Sequence, residues 1–258
     1  MTLHIIVCIK SVVRSAPGGV AMRQPENSEL NPFDRPAIEA ALTMAEAWGG
    51  SVTALTMGPP VANSALAEAQ AMGVDRCVLV SDPAIAGSDT LVTSRVLAVA
   101  ARQIGAFDCI CFGTRTSDSD TGQVGPQTAA VLNLPFVSGV KDVQVDGARW
   151  QLKRTMDDWE EQWEAHPPVA ISIHPKAFKP RSIGLIGVAE AFDHPSIETL
   201  GLNELGLSQE QVGLTGSPTR VVNLQKIKRS RSCELIEGEP AEQVAALVEQ
   251  LNRRGVMT

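Results

Sequence analysis

Short apolar runs alternate with helical hydrophobic periods through the first half of the chain. Residues 3–9, Leu3-His4-Ile5-Ile6-Val7-Cys8-Ile9, form a nearly continuous apolar run rich in β-branched side chains, the pattern of a strand covered on both faces. Residues 51–57, 76–80 and 108–112 repeat it. Between the first two, Ala37, Ala40, Ala41, Met44, Ala47 and Trp48 recur at helical spacing behind the opening Asn31-Pro32-Phe33-Asp34-Arg35-Pro36, and Gly49-Gly50 stops the period. Residues 62–72 and 90–104 read as helices ended by Gly73 and Gly105. This alternation predicts an α/β fold, a parallel sheet with helices on both faces. Ligands of such sheets bind beyond the carboxyl ends of the strands, so the loops after Ile9, Met57 and Phe112 are expected at one functional edge.

The remaining segments are less regular. Residues 11–29 hold Pro17-Gly18-Gly19 and Pro25 without a sustained period and read as a loop or loose hairpin. Strands are expected over residues 136–140, 143–145, 148–153 and 169–173, with Asp146-Gly147 as a hairpin turn. Residues 157–164 alternate tryptophan with acids, which suits an exposed or edge strand or a short helix with a solvated acidic face. Residues 176–216 lack a long period and read as an excursion away from the core, with a helical turn or two in 201–211. Residues 240–253 are an amphipathic helix whose Val244, Leu247, Val248 and Leu251 share a face, either an arm packing on a partner or a helix packing back on its own domain. The expected organisation is an α/β domain over residues 1–180 and a docking loop with a C-terminal arm over 181–258.

Chemistry concentrates in residues 113–127, which lead from the 108–112 strand into a further helix. Pro126 is comfortable only in a first helical turn, so that helix is expected to start near Gln123 to Gly125. First-turn amides have no intrahelical partner and carry the positive end of the helix dipole, which suits a phosphate. Gly122 and Gly125 let the backbone approach a ligand, while Ser117, Ser119, Thr121 and Gln123 offer hydroxyl and amide groups. Asp118 and Asp120 suit ribose hydroxyls or free amides better than phosphate. An ordinary solvated, capped loop is the simpler alternative.

Composition narrows the function. At 258 residues and 44% hydrophobic content the chain can bury a full core. Its net charge of -7 argues against a general nucleic-acid binder, and the basic stretch Lys226-Ile227-Lys228-Arg229-Ser230-Arg231 is expected to be solvated surface or a partner contact. The five cysteines, Cys8, Cys77, Cys109, Cys111 and Cys233, give no disulfide framework and are expected as reduced thiols in a cytoplasmic protein. No signal peptide pattern or membrane-length apolar run is present. His4, His166, His174 and His194 lack metal-ligand spacing, so no metal site is expected. There is no nucleophile elbow, phosphate-binding P-loop or glycine fingerprint, and no residue stands out as a general acid or base. A nucleotide site without catalytic side chains points to binding or electron carrying, the cofactor supplying the chemistry.

The ordered set Val7-Cys8-Ile9-Lys10, Asn31-Pro32-Phe33-Asp34 before a helix, Thr56-Met57-Gly58-Pro59, Ala71-Met72-Gly73-Val74-Asp75-Arg76 and Asp118-Ser119-Asp120-Thr121-Gly122-Gln123-Val124-Gly125-Pro126 resembles the β (small) subunit of electron transfer flavoproteins over nearly the whole chain. The resemblance implies a Rossmann-like fold of the adenine-nucleotide-hydrolase type with a C-terminal arm that embraces an α subunit carrying FAD. It implies nucleotide contacts from Cys8, Asn31, Pro32, Phe33, Asp34, Met57, Gly113, Thr114, Arg115, Asp118, Asp120, Thr121, Gly122, Gln123 and Val124. Housekeeping members hold AMP in this subunit; electron-bifurcating members hold a second FAD that accepts a hydride from NADH. The stretch Asp120 to Pro126, the tail Gly213-Leu214-Thr215-Gly216-Ser217-Pro218-Thr219 and Ile236-Glu237-Gly238 look like the bifurcating subgroup, favouring FAD over AMP.

Departures from the family pattern matter too. Thr114-Arg115-Thr116-Ser117 replaces a Lys/Gln-Ala-Ile run, and Arg115 could pair with a flavin or phosphate or face solvent. Pro180-Arg181-Ser182-Ile183-Gly184-Leu185 matches the partner-docking loop, with Leu185 as its apolar anchor. Ala189-Glu190-Ala191-Phe192-Asp193 replaces a lysine-rich run, which favours a flavoprotein partner other than the usual acyl-CoA dehydrogenases. Two other readings stay open: a nucleotide-binding regulatory protein without a redox role, and a hydrolase with Asp118 and Asp120 as metal ligands.

Overall fold

The structure, a computed structural model, describes residues 2–13, 27–223 and 233–256. Two compact units result, Met1–Arg220 and Val221–Thr258. The first is built on strands β1 (Leu3–Cys8), β4 (Gly50–Met57), β5 (Arg76–Val80), β6 (Cys109–Gly113), β7 (Phe136–Asp146), β8 (Arg149–Met156), β9 (Trp159–Ala165), β10 (Val169–Ile173) and β11 (Ile197–Leu200). These form one nine-stranded sheet in the order β11-β5-β4-β1-β6-β10-β7-β8-β9. Every neighbouring pair from β11 to β7 is parallel. The strands β8 and β9 extend it as an antiparallel meander.

Helices cover both faces, as the alternating pattern requires. On one side α1 (Arg35–Trp48) and α2 (Asn63–Ala71) bury Ile38, Met44 and Leu66 against Ile5, Val7 and Val52. On the other, α3 (Thr90–Ile104) and α4 (Val124–Leu132) bury Val92, Val96 and Ala129 against Ile6, Leu55 and Ile110. Each fully buried isoleucine or leucine contributes roughly 1.5–3 kcal/mol of transfer free energy, so the doubly covered strands β1, β6 and β10 anchor the sheet. The bounds of α3 match the expected 90–104, because Asp89 caps its start by accepting from the Val92 amide at 3.0 Å and Gly105 ends it.

Several expectations are refined. The 11–29 segment is a hairpin at its stem, where β2 (Ser11–Val13) pairs antiparallel with β3 (Ser28–Leu30); its Pro17-Gly18-Gly19 and Pro25 lie outside the described residues. Residues 136–140 and 143–145 are a single strand, β7, whose register shifts between Val140 and Asp142. Asp146 pairs with Arg149, so the hairpin loop is Gly147-Ala148, with Gly147 at φ 57°. The alternating tryptophan-acid segment is the edge strand β9, with Trp159 and Trp163 exposed.

The 176–216 segment differs most from expectation, since it returns to the core rather than leaving it. Arg181 ties it to α1, its guanidinium donating to Glu39 at 3.0 and 3.1 Å and to Glu46 at 2.8 Å. Then α5 (Leu185–Asp193) packs along α2, and β11 pairs in parallel with β5. Leu200, then Leu202 and Leu205 of α6 (Leu202–Leu205), and Val212 just ahead of α7 (Gly213–Gly216) are buried in the same core as α3. The first unit therefore extends past residue 180. In the second unit, α8 (Pro240–Arg253) has the expected bounds and exposes Val244, Leu247 and Val248 on one face; the basic stretch 226–231 lies outside the described residues.

This predicts where the chain can be cut. A chain ending at residue 220 is expected to melt in one cooperative transition by circular dichroism, whereas one ending at residue 180, with the β5 edge bare, is expected to lose cooperativity and aggregate.

Candidate functional site

The strand order reverses at β1. Its chain continues through α1 to β4 and β5 on one side, and α3 then returns to β6 on the other. A crevice opens at the carboxyl ends of strands where connections diverge in this way. Here it is a cleft of about 1600 Å³ lined by the ends of β1, β4, β5 and β6 and by the starts of α3 and α4.

Of the residues expected to touch a nucleotide, Cys8, Asp34, Met57, Gly113, Thr114, Arg115, Thr121, Gly122, Gln123 and Val124 line this cleft. Asn31, Pro32, Phe33, Asp118 and Asp120 stand outside its lining. Leu185 is the first residue of α5 and is 89% exposed, away from the cleft, beside exposed Ile186 and Phe192.

The cleft floor is set by a buried polar cluster. Asp34 precedes α1 but does not cap it. Its carboxylate instead accepts from the Lys10 amide at 2.8 Å and from Asn31 Nδ2 at 2.9 Å. Asn31, fully buried, spends its second Nδ2 hydrogen on the Arg115 carbonyl at 2.9 Å, and its Oδ1 accepts from the Ser117 amide at 3.2 Å. Loops after β1, β3 and β6 are thus tied into one unit. Gly113 is where they meet: a Cβ there would overlap Asp34 Oδ1 and come within 2.7 Å of the Phe33 carbonyl. Burial pushes Asp34 up to about 7, with the nearby Asp118 charge adding to it, against the amide donors that favour the carboxylate.

The rim carries the charges. Lys10 Nζ donates to both oxygens of Asp118 at 2.8 Å. Partial burial opposes ionisation of Asp118, but bonds from Lys10 and Thr116 prevail and hold it at about 2. Arg115 lies over the Phe33 ring, 4.6 Å from the centroid, with a 3.5 Å contact to Asp120. Asp120 adopts φ 52° in the turn, a conformation that short polar side chains tolerate. Both acids are engaged with cations, and among the described residues no group of three His, Cys, Asp or Glu could hold a metal.

The start of α4 falls at Val124, inside the expected window, with Pro126 in the first turn. Gln123 Oε1 accepts from Thr90 Oγ1 at 3.1 Å, and Ser94 Oγ donates to the Val124 carbonyl at 3.2 Å, so the beginnings of α3 and α4 are held side by side. Burial raises the Cys8 thiol well above its ordinary value, which removes it as a nucleophile and leaves a small apolar surface.

A cradle of backbone amides and small hydroxyls at a sheet's switch point, with its one near-neutral acid, Asp34, buried and bonded to the loops beneath, is the geometry of cofactor binding. A family model described as Electron transfer flavoprotein domain matches residues 18–198. The chain belongs to the electron transfer flavoprotein family. It is 35% identical to Electron transfer flavoprotein subunit beta of Thermoanaerobacterium thermosaccharolyticum over 261 residues, covering 99% of this chain and 100% of the relative. It is 34% identical over 263 residues to Caffeyl-CoA reductase-Etf complex subunit CarD of Acetobacterium woodii, with the same coverage. It is 35% identical over 268 residues to Acryloyl-CoA reductase electron transfer subunit gamma of Anaerotignum propionicum, again covering 99% and 100%.

Within this member of the electron transfer flavoprotein family, one wall of the cleft was not anticipated residue by residue. Asp89 caps α3 and also accepts from the Thr219 amide at 3.1 Å and its hydroxyl at 2.8 Å. The Asp89 amide donates to Ser217 Oγ at 2.9 Å, and Gly213 N donates to Ser88 Oγ at 3.0 Å. Ser88, Asp89, Thr90 and Thr219 consequently line the cleft beside the start of α4. The signal was present, since Ser88-Asp89-Thr90 before an apolar period is an N-cap signature. The pairing with residues 213–219 spans too many positions to be read from spacing.

Asp34 gives a pH test. Its raised value means that folded Asp34 stays protonated where the unfolded chain has released its proton, so its ionisation costs stability. The cost is absent below the ordinary carboxylate range, grows as pH rises from about 4, and is complete above about 7. Relative to Asp34→Asn, which loses one hydrogen bond but cannot ionise, wild type is expected to lose up to about 1.4 kcal/mol per pH unit across that window, measured by urea midpoints. A gap independent of pH would show that Asp34 folds as a carboxylate.

Proposed function

We propose that this chain is the nucleotide-binding small subunit of a two-subunit electron carrier and that its cleft holds FAD rather than AMP. The size of the cleft carries the reading: about 1600 Å³, beyond the roughly 300–1,000 Å³ of ordinary small-molecule sites. A mononucleotide would leave much of that volume unfilled. The lining combines the amides and hydroxyls of residues 113–124 with Ile85, Leu97, Phe112 and Phe136, apolar surface suited to a flat ring system. Gly113 and Gly122 let the loop fold closely onto the floor and onto itself, and the start of α4 supplies amides and a positive dipole end.

FAD when bound supplies the redox chemistry, accepting a hydride and releasing electrons one at a time. The chain's own residues bind and orient: the polar cradle grips phosphate and ribose, and the inert Cys8 and Met57 pack without reacting. An α subunit that carries the second FAD is the partner. The exposed apolar faces of α8 and of α5, with Leu185 at its head, support contacts of the arm and the docking segment with other proteins. The names of the two CoA-reductase relatives support a flavoprotein acting on CoA esters as electron acceptor. NADH as donor in a bifurcating cycle is part of the same proposal and goes with the FAD assignment. Five free cysteines support a reducing, cytoplasmic compartment.

The test is a count. After purification with its α subunit, the released nucleotides are expected to be two FAD per heterodimer; one FAD and one AMP would overturn the FAD assignment. Anaerobic NADH is expected to bleach the flavin absorbance of the heterodimer, and an unchanged spectrum would leave a carrier without NADH oxidation.

A further inference from the structure

Asn31 is buried, Pro32 is exposed, and neither they nor Phe33 line the cleft, although the sequence resemblance groups all three as ligand contacts. Their geometry gives them another job. Asn31 clasps the β6 loop on both sides of Thr116, through the Arg115 carbonyl at 2.9 Å and the Ser117 amide at 3.2 Å. Asp34 fixes the Asn31 amide from behind. Phe33 lies beneath the Arg115 guanidinium, 4.6 Å from ring centroid to carbon. The turn thus holds Arg115 twice, its backbone through Asn31 and its side chain through Phe33.

We infer that the Asn31–Asp34 turn is a platform that presents Arg115 to the cleft as the cation binding the phosphate of its nucleotide. This rests on the nucleotide reading of the cleft. Among the described lining residues the cations are Lys10 and Arg115. Lys10 is occupied, with both Asp118 oxygens at 2.8 Å. Arg115 is available: its ion pair is a 3.5 Å contact with Asp120, between side chains 50% and 61% exposed. Such a pair is weak and readily exchanged for a better anion. A guanidinium has five N–H donors in a planar fork that matches phosphate, and a stacked ring holds that plane in place. The loop also folds back on itself. A Cβ on Gly122 would lie 3.2 Å from the Thr114 carbonyl, which brings the approach to α4 against the residue preceding Arg115. Arg115 and the first turn of α4 thus line the same cleft.

Calorimetric titration of the full chain, freed of nucleotide, with FAD and separately with AMP tests the assignment. Arg115→Gln is expected to weaken whichever nucleotide wild type binds by about 10- to 100-fold and to flatten the dependence of affinity on salt. Arg115→Lys is expected to recover part of the affinity, keeping the charge without the fork. Phe33→Leu is expected to cost about 2- to 5-fold in the wild-type background and nothing once Arg115 is glutamine. Asp120→Asn, tolerated at φ 52°, is expected to tighten binding by releasing the guanidinium, again only when Arg115 is present. Equal affinity and equal salt dependence for Arg115→Gln would overturn this assignment while leaving the nucleotide site intact. An Asp120→Asn response that is the same with and without Arg115 would overturn it too. Failure of wild type to bind either nucleotide would remove the nucleotide reading and this one with it.

Discussion

The buried carboxylate of Asp34 is the constraint on which the cleft depends. It sits where the loops after β1, β3 and β6 meet, and its two oxygens accept from the Lys10 amide after β1 and from Asn31 in the turn before α1. Through Asn31 it also governs the loop after β6. Burying a carboxyl is costly unless it is well bonded, and this one removes two amide donors that would otherwise point into the core unpaired. The cost is local and the return is geometric. Three loops that could move independently instead share one rigid floor, and Gly113 has no side chain because the floor passes through the space a Cβ would need.

Topology then decides what the floor is for. Because β6 lies on the opposite side of β1 from β4 and β5, the helices that follow β5 and β6 begin next to each other above the sheet. Thr90 and Gln123 join them directly, and Ser94 reinforces the joint one turn deeper. Two helix starts therefore share one cleft. The 213–219 segment closes the far side by bonding to Ser88 and Asp89, so this wall comes from a part of the chain more than a hundred residues away in sequence.

The legible parts of this architecture were those decided locally. The ends of α3 and α8 follow from an N-cap aspartate, a glycine stop and an N-terminal proline, and the sequence resemblance identified the family that the end-to-end comparisons support. The strand β11 was not legible. Ile197-Glu198-Thr199-Leu200 is short, with exposed polar residues at its centre, and it exists because β5 offers an open edge. Helix α5 was obscured by an apolar residue at nearly every position, which leaves no period to detect; its exposed Leu185 and Ile186 show that burial is not what sets this composition. Of the motif Asn31-Pro32-Phe33-Asp34, expected as ligand contacts, Asp34 lines the cleft, while Asn31 is buried and holds the loop after β6. A motif fixes which residues matter; only the direction of each side chain tells whether it touches the ligand or holds what does.

The distribution of charge around the cleft explains why a protein of net charge -7 can still offer a site for an anion. Its rim acids do not face the cleft as free carboxylates: Asp118 is closed by Lys10, Asp120 leans on Arg115, and Asp89 is spent on a helix cap and on Thr219. Each acid thereby stiffens a loop instead of repelling a phosphate. Beside Lys10 and Arg115, what lines the cleft there is neutral donors, the amides and hydroxyls of two helix starts. Neutral, preorganised donors bind an anion without carrying a titrating group of their own. That is consistent with a chain that positions a cofactor and leaves proton and electron transfer to the cofactor itself.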